Sequence, residues 1–145
     1  MKKFVRRISA AALVVACCIS LSLSAFAAER ASSYLSMYSA YTSAADDGKI
    51  EIVVSVIANR RVSELGASYI LLEESDDGGR TWSTAEEFEG ESWMTTTDRS
   101  TYSAILTYQG IIGHQYRVTA DVFAEDENGG DSRTTPTSPA VTAKR

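Results

Sequence analysis

Two stretches of strict alternation constrain this chain more than anything else in it. Ile50, Ile52, Val54, Val56 and Ala58 stand against Glu51, Val53, Ser55 and Ile57, while Tyr116, Val118, Ala120, Val122 and Ala124 stand against Arg117, Thr119, Asp121 and Phe123. A period of two is that of a β-strand with one face in a core, whereas a helix needs apolar residues every three or four positions. Tyr102, Ala104, Leu106 and Tyr108 make a third alternating set, and Tyr69-Ile70-Leu71-Leu72 is apolar on both faces, which suits a central strand. With the weaker segments 34–42, 81–88 and 140–143, the expectation is about seven strands. No window has convincing helical spacing.

Turn chemistry separates the strands. Asp46-Asp47-Gly48, Asp76-Asp77-Gly78-Gly79, Gly110-Ile111-Ile112-Gly113 and Asn128-Gly129-Gly130 each supply residues that tolerate positive φ. Short antiparallel strands at this density predict an all-β fold, a seven-stranded immunoglobulin-like or fibronectin III-like β-sandwich. The antibody-type core disulfide is excluded, because the only cysteines, Cys17 and Cys18, lie near the N-terminus. That moves the expectation to the fibronectin III side.

The N-terminus reads as a secretion signal. Lys2, Lys3, Arg6 and Arg7 form a basic region, residues 8–23 are uncharged and apolar or small, and Ala25-Phe26-Ala27 is a small-x-small cleavage site. Residues 1–27 are thus expected to be removed, leaving 28–145 as one domain, secreted and extracellular, with cell-surface association as a variant. Two alternatives compete with this reading. A membrane anchor wants about 20 strongly apolar residues, and Ser20, Ser22 and Ser24 dilute this run. Lipid attachment at Cys17, after Val14-Val15-Ala16, would leave the apolar residues 19–28 on the mature chain.

The leader holds four of the 14 basic residues and none of the 19 acidic ones, which leaves ten against nineteen and a formal charge of −9. A surface that negative argues against nucleic acid and against anionic lipid, since a phosphate-binding face needs clustered Lys and Arg. It leaves cationic partners or neutral glycans, with no membrane insertion of the mature chain.

Ser75-Asp76-Asp77-Gly78-Gly79-Arg80-Thr81-Trp82 fits the pattern S-x-D-x-G-x-T-W at each specified position. It resembles the Asp-box of sialidases and related propellers, where the motif shapes a β-hairpin. Ser75, Asp77, Gly79, Thr81 and Trp82 are therefore expected to be structural, with Asp77 accepting bonds from the turn, Gly79 at positive φ and Trp82 packing the hairpin down. A propeller needs at least four blades of about 40 residues, more than 118 residues supply. Gly113-His114-Gln115-Tyr116 resembles the segment leading into the sixth strand of fibronectin III domains, which makes Tyr116 either a tyrosine-corner residue or one more inward strand residue.

The leader, the short acidic β domain, Leu65-Gly66-Ala67-Ser68, the single Asp-box hairpin and the Tyr116 strand together resemble a family of small uncharacterised secreted proteins of Gram-positive gut bacteria. The resemblance covers most of the mature chain. It implies a fold and a location, and carries over no functional residue.

Candidate sites are few. His114 is the only histidine, so neither a multi-His metal site nor a supported Ser-His pair exists. Glu73, Glu74, Glu86, Glu87, Glu89 and Glu91 offer carboxylates for glycoside hydrolysis, but neighbours along a strand point to opposite faces. Asp126, Asn128 and Asp131 are oxygen donors for Ca²⁺, without EF-hand spacing. Tyr34, Tyr38, Phe88 and Trp93 either stack on a ligand such as a sugar or cover the core, and Trp93 is expected to have the most exposed ring. The expected role is a non-catalytic extracellular binding or adhesion module for glycan or protein, with no cofactor. The alternatives are a structural protein of the cell envelope and, remotely, a small glycoside hydrolase.

Overall fold

The computed structural model describes Ser32–Arg145. The leader expected over residues 1–27, its cleavage site and Cys17 lie outside the described residues. Seven strands follow in order: β1 (Leu35–Ala44), β2 (Lys49–Ser75), β3 (Ser83–Glu89), β4 (Thr95–Gln109), β5 (Gln115–Asp126), β6 (Gly129–Thr134) and β7 (Val141–Thr142). The described residues contain no α-helix, only single 3₁₀ turns at Asp46–Gly48 and Ser92–Met94. All pairings are antiparallel, and the seven strands form one sheet curled into a half-barrel.

β2 organises the sheet. Its 27 residues far exceed a usual strand of five or six because it serves two ladders in turn. Near its start Val54 faces Ala40 of β1 on one side and Ala104 of β4 on the other. Near its end Ile70 lies between Phe88 of β3 and Ala120 of β5. The two strands expected at residues 50–58 and 69–72 are thus one. Between them the pairing with β4 slips between Ile57 and Val62, and Gly66 then meets the turn at Met94. A Cβ at Gly66 would fall 2.1 Å from the Met94 carbonyl oxygen, so only glycine lets the strand pass there.

β6 was not expected. Its sequence Gly129-Gly130-Asp131-Ser132-Arg133-Thr134 has no apolar alternation, and it exists through its pairing with β5, from Asp126↔Gly129 to Asp121↔Thr134. The expected and observed strand numbers agree because this addition offsets the merger in β2.

The alternating sets form the core. Ile50, Ile52, Val54, Val56, Tyr116, Val118, Ala120, Val122 and Ala124 are fully buried, in one cluster with Leu65, Ile70, Leu72 and Met94. Burial of each large aliphatic side chain contributes about 1.5–3 kcal/mol. Tyr69 and Leu71, expected inside, are only half-buried. Where β5 lacks a full strand partner, side chains of the C-terminal segment complete its hydrogen bonding: Ser138 Oγ accepts from Val118 N–H at 3.0 Å and Thr135 Oγ1 from Ala120 N–H at 3.0 Å. On the same side β1 closes against β5, Thr42 Oγ1 donating to the Tyr116 carbonyl at 3.4 Å.

Candidate functional site

The hairpin between β2 and β3 is held by one carboxylate. Asp77 Oδ1 accepts from the N–H groups of Arg80 and Thr81, both at 2.9 Å, and from Ser75 Oγ at 2.8 Å; Oδ2 accepts from Thr81 Oγ1 at 2.6 Å. These donors, the Thr81 hydroxyl foremost, hold the Asp77 carboxyl down at about 2. Ser75 Oγ also accepts from Gly79 N–H at 2.9 Å, and Gly79 has a φ of 87°. All four side-chain bonds that Asp77 accepts come from its own turn. The Trp82 indole N–H donates to the Gly79 carbonyl at 3.1 Å, and its ring lies under the Arg117 guanidinium at 4.1 Å. Trp82 is half-buried and outside the core cluster.

Tyr116 is fully buried, and its hydroxyl accepts from Ile111 N–H, five residues upstream, at 2.8 Å. Burial pushes its phenol pKa up. Gly110 gives the ring its room: a Cβ there would lie 2.9 Å from it.

The two carboxylates offered for calcium, Asp126 and Asp131, already have partners. Asp126 accepts from Arg60, Tyr34 Oη and Asn128 N–H, and Asp131 pairs with Arg133. The Asn128 N–H is the foremost cause that keeps the Asp126 carboxyl below its usual range. Among the described residues no three His, Cys, Asp or Glu side chains gather as a metal site. Three of the Glu carboxylates have partners as well: Glu73 pairs with Arg117, Glu74 with His114, and Glu87 accepts from Tyr69 Oη.

The four aromatic candidates part into two pairs. Tyr34 is buried, its hydroxyl on Asp126 at 3.1 Å and Arg60 over its ring at 4.5 Å. Tyr38 is half-buried against the core. A bulge between Leu35 and Met37 sets the phase of β1, so Leu35 and Tyr38, three apart, share the inward face. Phe88 and Trp93 meet edge to face, their centroids 5.7 Å apart. The expectation of an exposed Trp93 is corrected: Gly90, at a φ of 70°, turns the chain, Met94 anchors the following 3₁₀ turn in the core, and Trp93 is left half-buried on it.

One face of that turn remains open. A groove of about 320 Å³ is lined by Trp93, Thr95, Thr96, Arg99, Thr101, Tyr102 and Ser103. The Tyr102 hydroxyl donates to the Trp93 carbonyl at 3.2 Å, which ties the turn to β4, and burial lifts Tyr102 to about 12. The groove therefore offers an indole, several hydroxyls and one guanidinium. Sequence reasoning found its Trp but missed Arg99 and the Thr and Ser residues. The signal was the run Thr95-Thr96-Thr97 directly after Trp93-Met94, with the outward positions Thr101 and Ser103 of an alternating strand. Arg60, which caps Tyr34 and Asp126 together, was also missed.

No helix of the described residues is long and apolar enough to cross a membrane. A scan against protein-family models gives no match to this chain, and a search of curated proteins gives none.

Proposed function

We propose that this chain is a secreted, non-catalytic β-sandwich of the immunoglobulin-like and fibronectin III-like kind, released after cleavage of residues 1–27, and that it binds a neutral glycan or a protein segment outside the cell through the Trp93 groove. The sandwich reading draws support from the two ladders, β1-β2-β4 and β3-β2-β5-β6, which share one core, and from the Tyr116 hydroxyl on the Ile111 N–H. The hairpin at Asp77 is read as a single Asp-box, a fold staple, in keeping with the resemblance to the small secreted family.

The observation that carries the binding role is the half-buried Trp93 beside Thr95, Thr96, Thr101 and Ser103 with Arg99 at the rim. A sugar ring presents an apolar face and a girdle of hydroxyls, which an indole and a set of Thr and Ser hydroxyls match. The formal charge of −9 over residues 28–145 disfavours acidic polymers. Glu73, Glu74 and Glu87 are each engaged, by Arg117, His114 and Tyr69, which weighs against their serving as the carboxylate pair of a glycoside hydrolase.

The test is a screen of the purified protein against immobilised neutral glycans and cell-wall fragments, with Arg99→Ala and Thr96→Ala as variants. Retention by the wild type and its loss in both variants, with unchanged denaturation midpoints, is the expected result. A wild type that retains no glycan or fragment overturns the glycan reading.

A further inference from the structure

The edges of the sheet are not alike. β3 carries Glu86, Glu87 and Glu89, β6 carries Asp131 and Arg133, and β7 has two residues. β1 has a bulge at its start, between Leu35 and Met37, and closes against β5, where Thr42 bonds to the Tyr116 carbonyl. Charge, shortness, bulges and cover are the devices that keep sheet edges from pairing with other chains. Among the described residues, β4 has none of them over 101–109. It pairs with β2 alone among the described residues, in unbroken register from Thr101↔Ile57 to Gln109↔Lys49. Its segment Thr101-Tyr102-Ser103-Ala104-Ile105-Leu106-Thr107-Tyr108-Gln109 has no charge, no proline and no glycine. In an antiparallel ladder every second residue turns its N–H and C=O to the far side, so this edge presents a row of free backbone groups.

The segment is also nearly symmetric about Ile105. Thr101 mirrors Gln109, Tyr102 mirrors Tyr108, Ser103 mirrors Thr107 and Ala104 mirrors Leu106. From these two properties we infer that β4 is a homodimer interface, in which the edge pairs antiparallel with β4 of a second copy about a twofold axis through Ile105. A twofold contact must be self-complementary. Here each Tyr stands opposite a Tyr, each hydroxyl residue on the outward face opposite a polar residue, and small Ala104 opposite larger Leu106, which are pairs that stabilise a ladder. No charge meets its like, although both copies are strongly acidic. Inward and outward faces keep their sides, because each residue and its mirror have the same parity.

The arrangement explains Ile105. At 68% exposed it is the most solvent-accessible large apolar side chain of the described residues, and about the axis it lies against Ile105 of the second copy. It stands in an outward row with Tyr41 and Val53. Tyr41 is 48% exposed. Pairing makes the β1-β2-β4 ladder a continuous six-stranded sheet across the axis and brings Gln109 of the second copy to Thr101, at the rim of the Trp93 groove. It requires no ligand in that groove.

The experiment is sedimentation of the purified protein over a concentration series, with Ile105→Lys and Ile105→Cys as variants. The wild type should show a dimer fraction that rises with concentration. Ile105→Lys sets two like charges face to face and should shift the equilibrium to monomer, while at dilutions where both proteins are monomeric its denaturation midpoint should equal that of the wild type, since the side chain is exposed. Under mild oxidation Ile105→Cys should form a covalent dimer, because directly opposed residues have Cα atoms about 4.5–5.5 Å apart, within disulfide reach. A wild type that stays monomeric even at about 1 mM overturns the inference. So does a dimer that survives Ile105→Lys and whose Cys variant does not cross-link, which would place the contact elsewhere.

Discussion

Gly66 of β2 and Met94 of the turn before β4 touch backbone to backbone: a Cβ on Gly66 would lie 2.1 Å from the Met94 carbonyl oxygen and 2.7 Å from the Thr95 Cα. The contact sits where β2 passes from one ladder to the other, with Leu65 and Ala67 buried on either side.

Gly66→Ala should therefore destabilise the domain, by about 1–3 kcal/mol or more, the cost of forcing atoms into a packed site. Because Met94 anchors the Trp93 turn, the same change should also disturb Trp93 fluorescence. An unchanged urea midpoint would mean that the strand and the turn do not meet.

Tyr116 and Trp82 should behave differently, although the sequence treats both as packing aromatics. Tyr116→Ala opens a cavity at a fully buried site and should cost about 3–5 kcal/mol. Tyr116→Phe leaves the ring and removes the acceptor for Ile111 N–H, for a loss of about 0.5–1.5 kcal/mol. Trp82→Ala removes a half-buried ring covered by Arg117 and should lower the midpoint less than Tyr116→Ala. Equal losses for the two alanine variants in thermal unfolding would count against this ranking.

Asp77 gives the hairpin a pH dependence of known sign. Its carboxyl is held down at about 2 in the folded state, against about 3.9 in an unfolded chain. A depressed pKa contributes stability at higher pH, and that contribution is lost as pH falls from about 4 through about 2. Midpoints measured over this range should drop less steeply for Asp77→Asn than for the wild type. Parallel curves would show that the Ser75 and Thr81 bonds do not discriminate the charged form.

Ile50 to Ala58 and Tyr116 to Ala124 could be read as half-buried strands because one-sided burial writes a period of two directly into the residues, and the structure buries the inward positions of both. The turns at Asp46, Asp76, Gly110 and Asn128 were legible for a similar reason, since the demand for positive φ is local. The continuity of β2 was not, because the alternation stops at Ala58 and Asn59-Arg60-Arg61 falls outside the strand ladders, tied instead by Asn59 N–H on the Tyr34 carbonyl and by Arg60 on Asp126 and Arg61 on Asp98. β6, with two glycines and no apolar face, owes its existence to β5. At the candidate site the sequence marked Trp93 but not its exposure, which depends on Met94 reaching the core and on Phe88 arriving from β3. It also marked Tyr34 and Asp126 separately, for stacking and for calcium, where the fold joins them through Arg60. Local periodicity and turn chemistry thus determined that the chain is all-β and which faces turn inward. Which strands are neighbours, which aromatic rings are covered and which edge stays bare depend on contacts between residues far apart in the chain, and only the tertiary structure decided them.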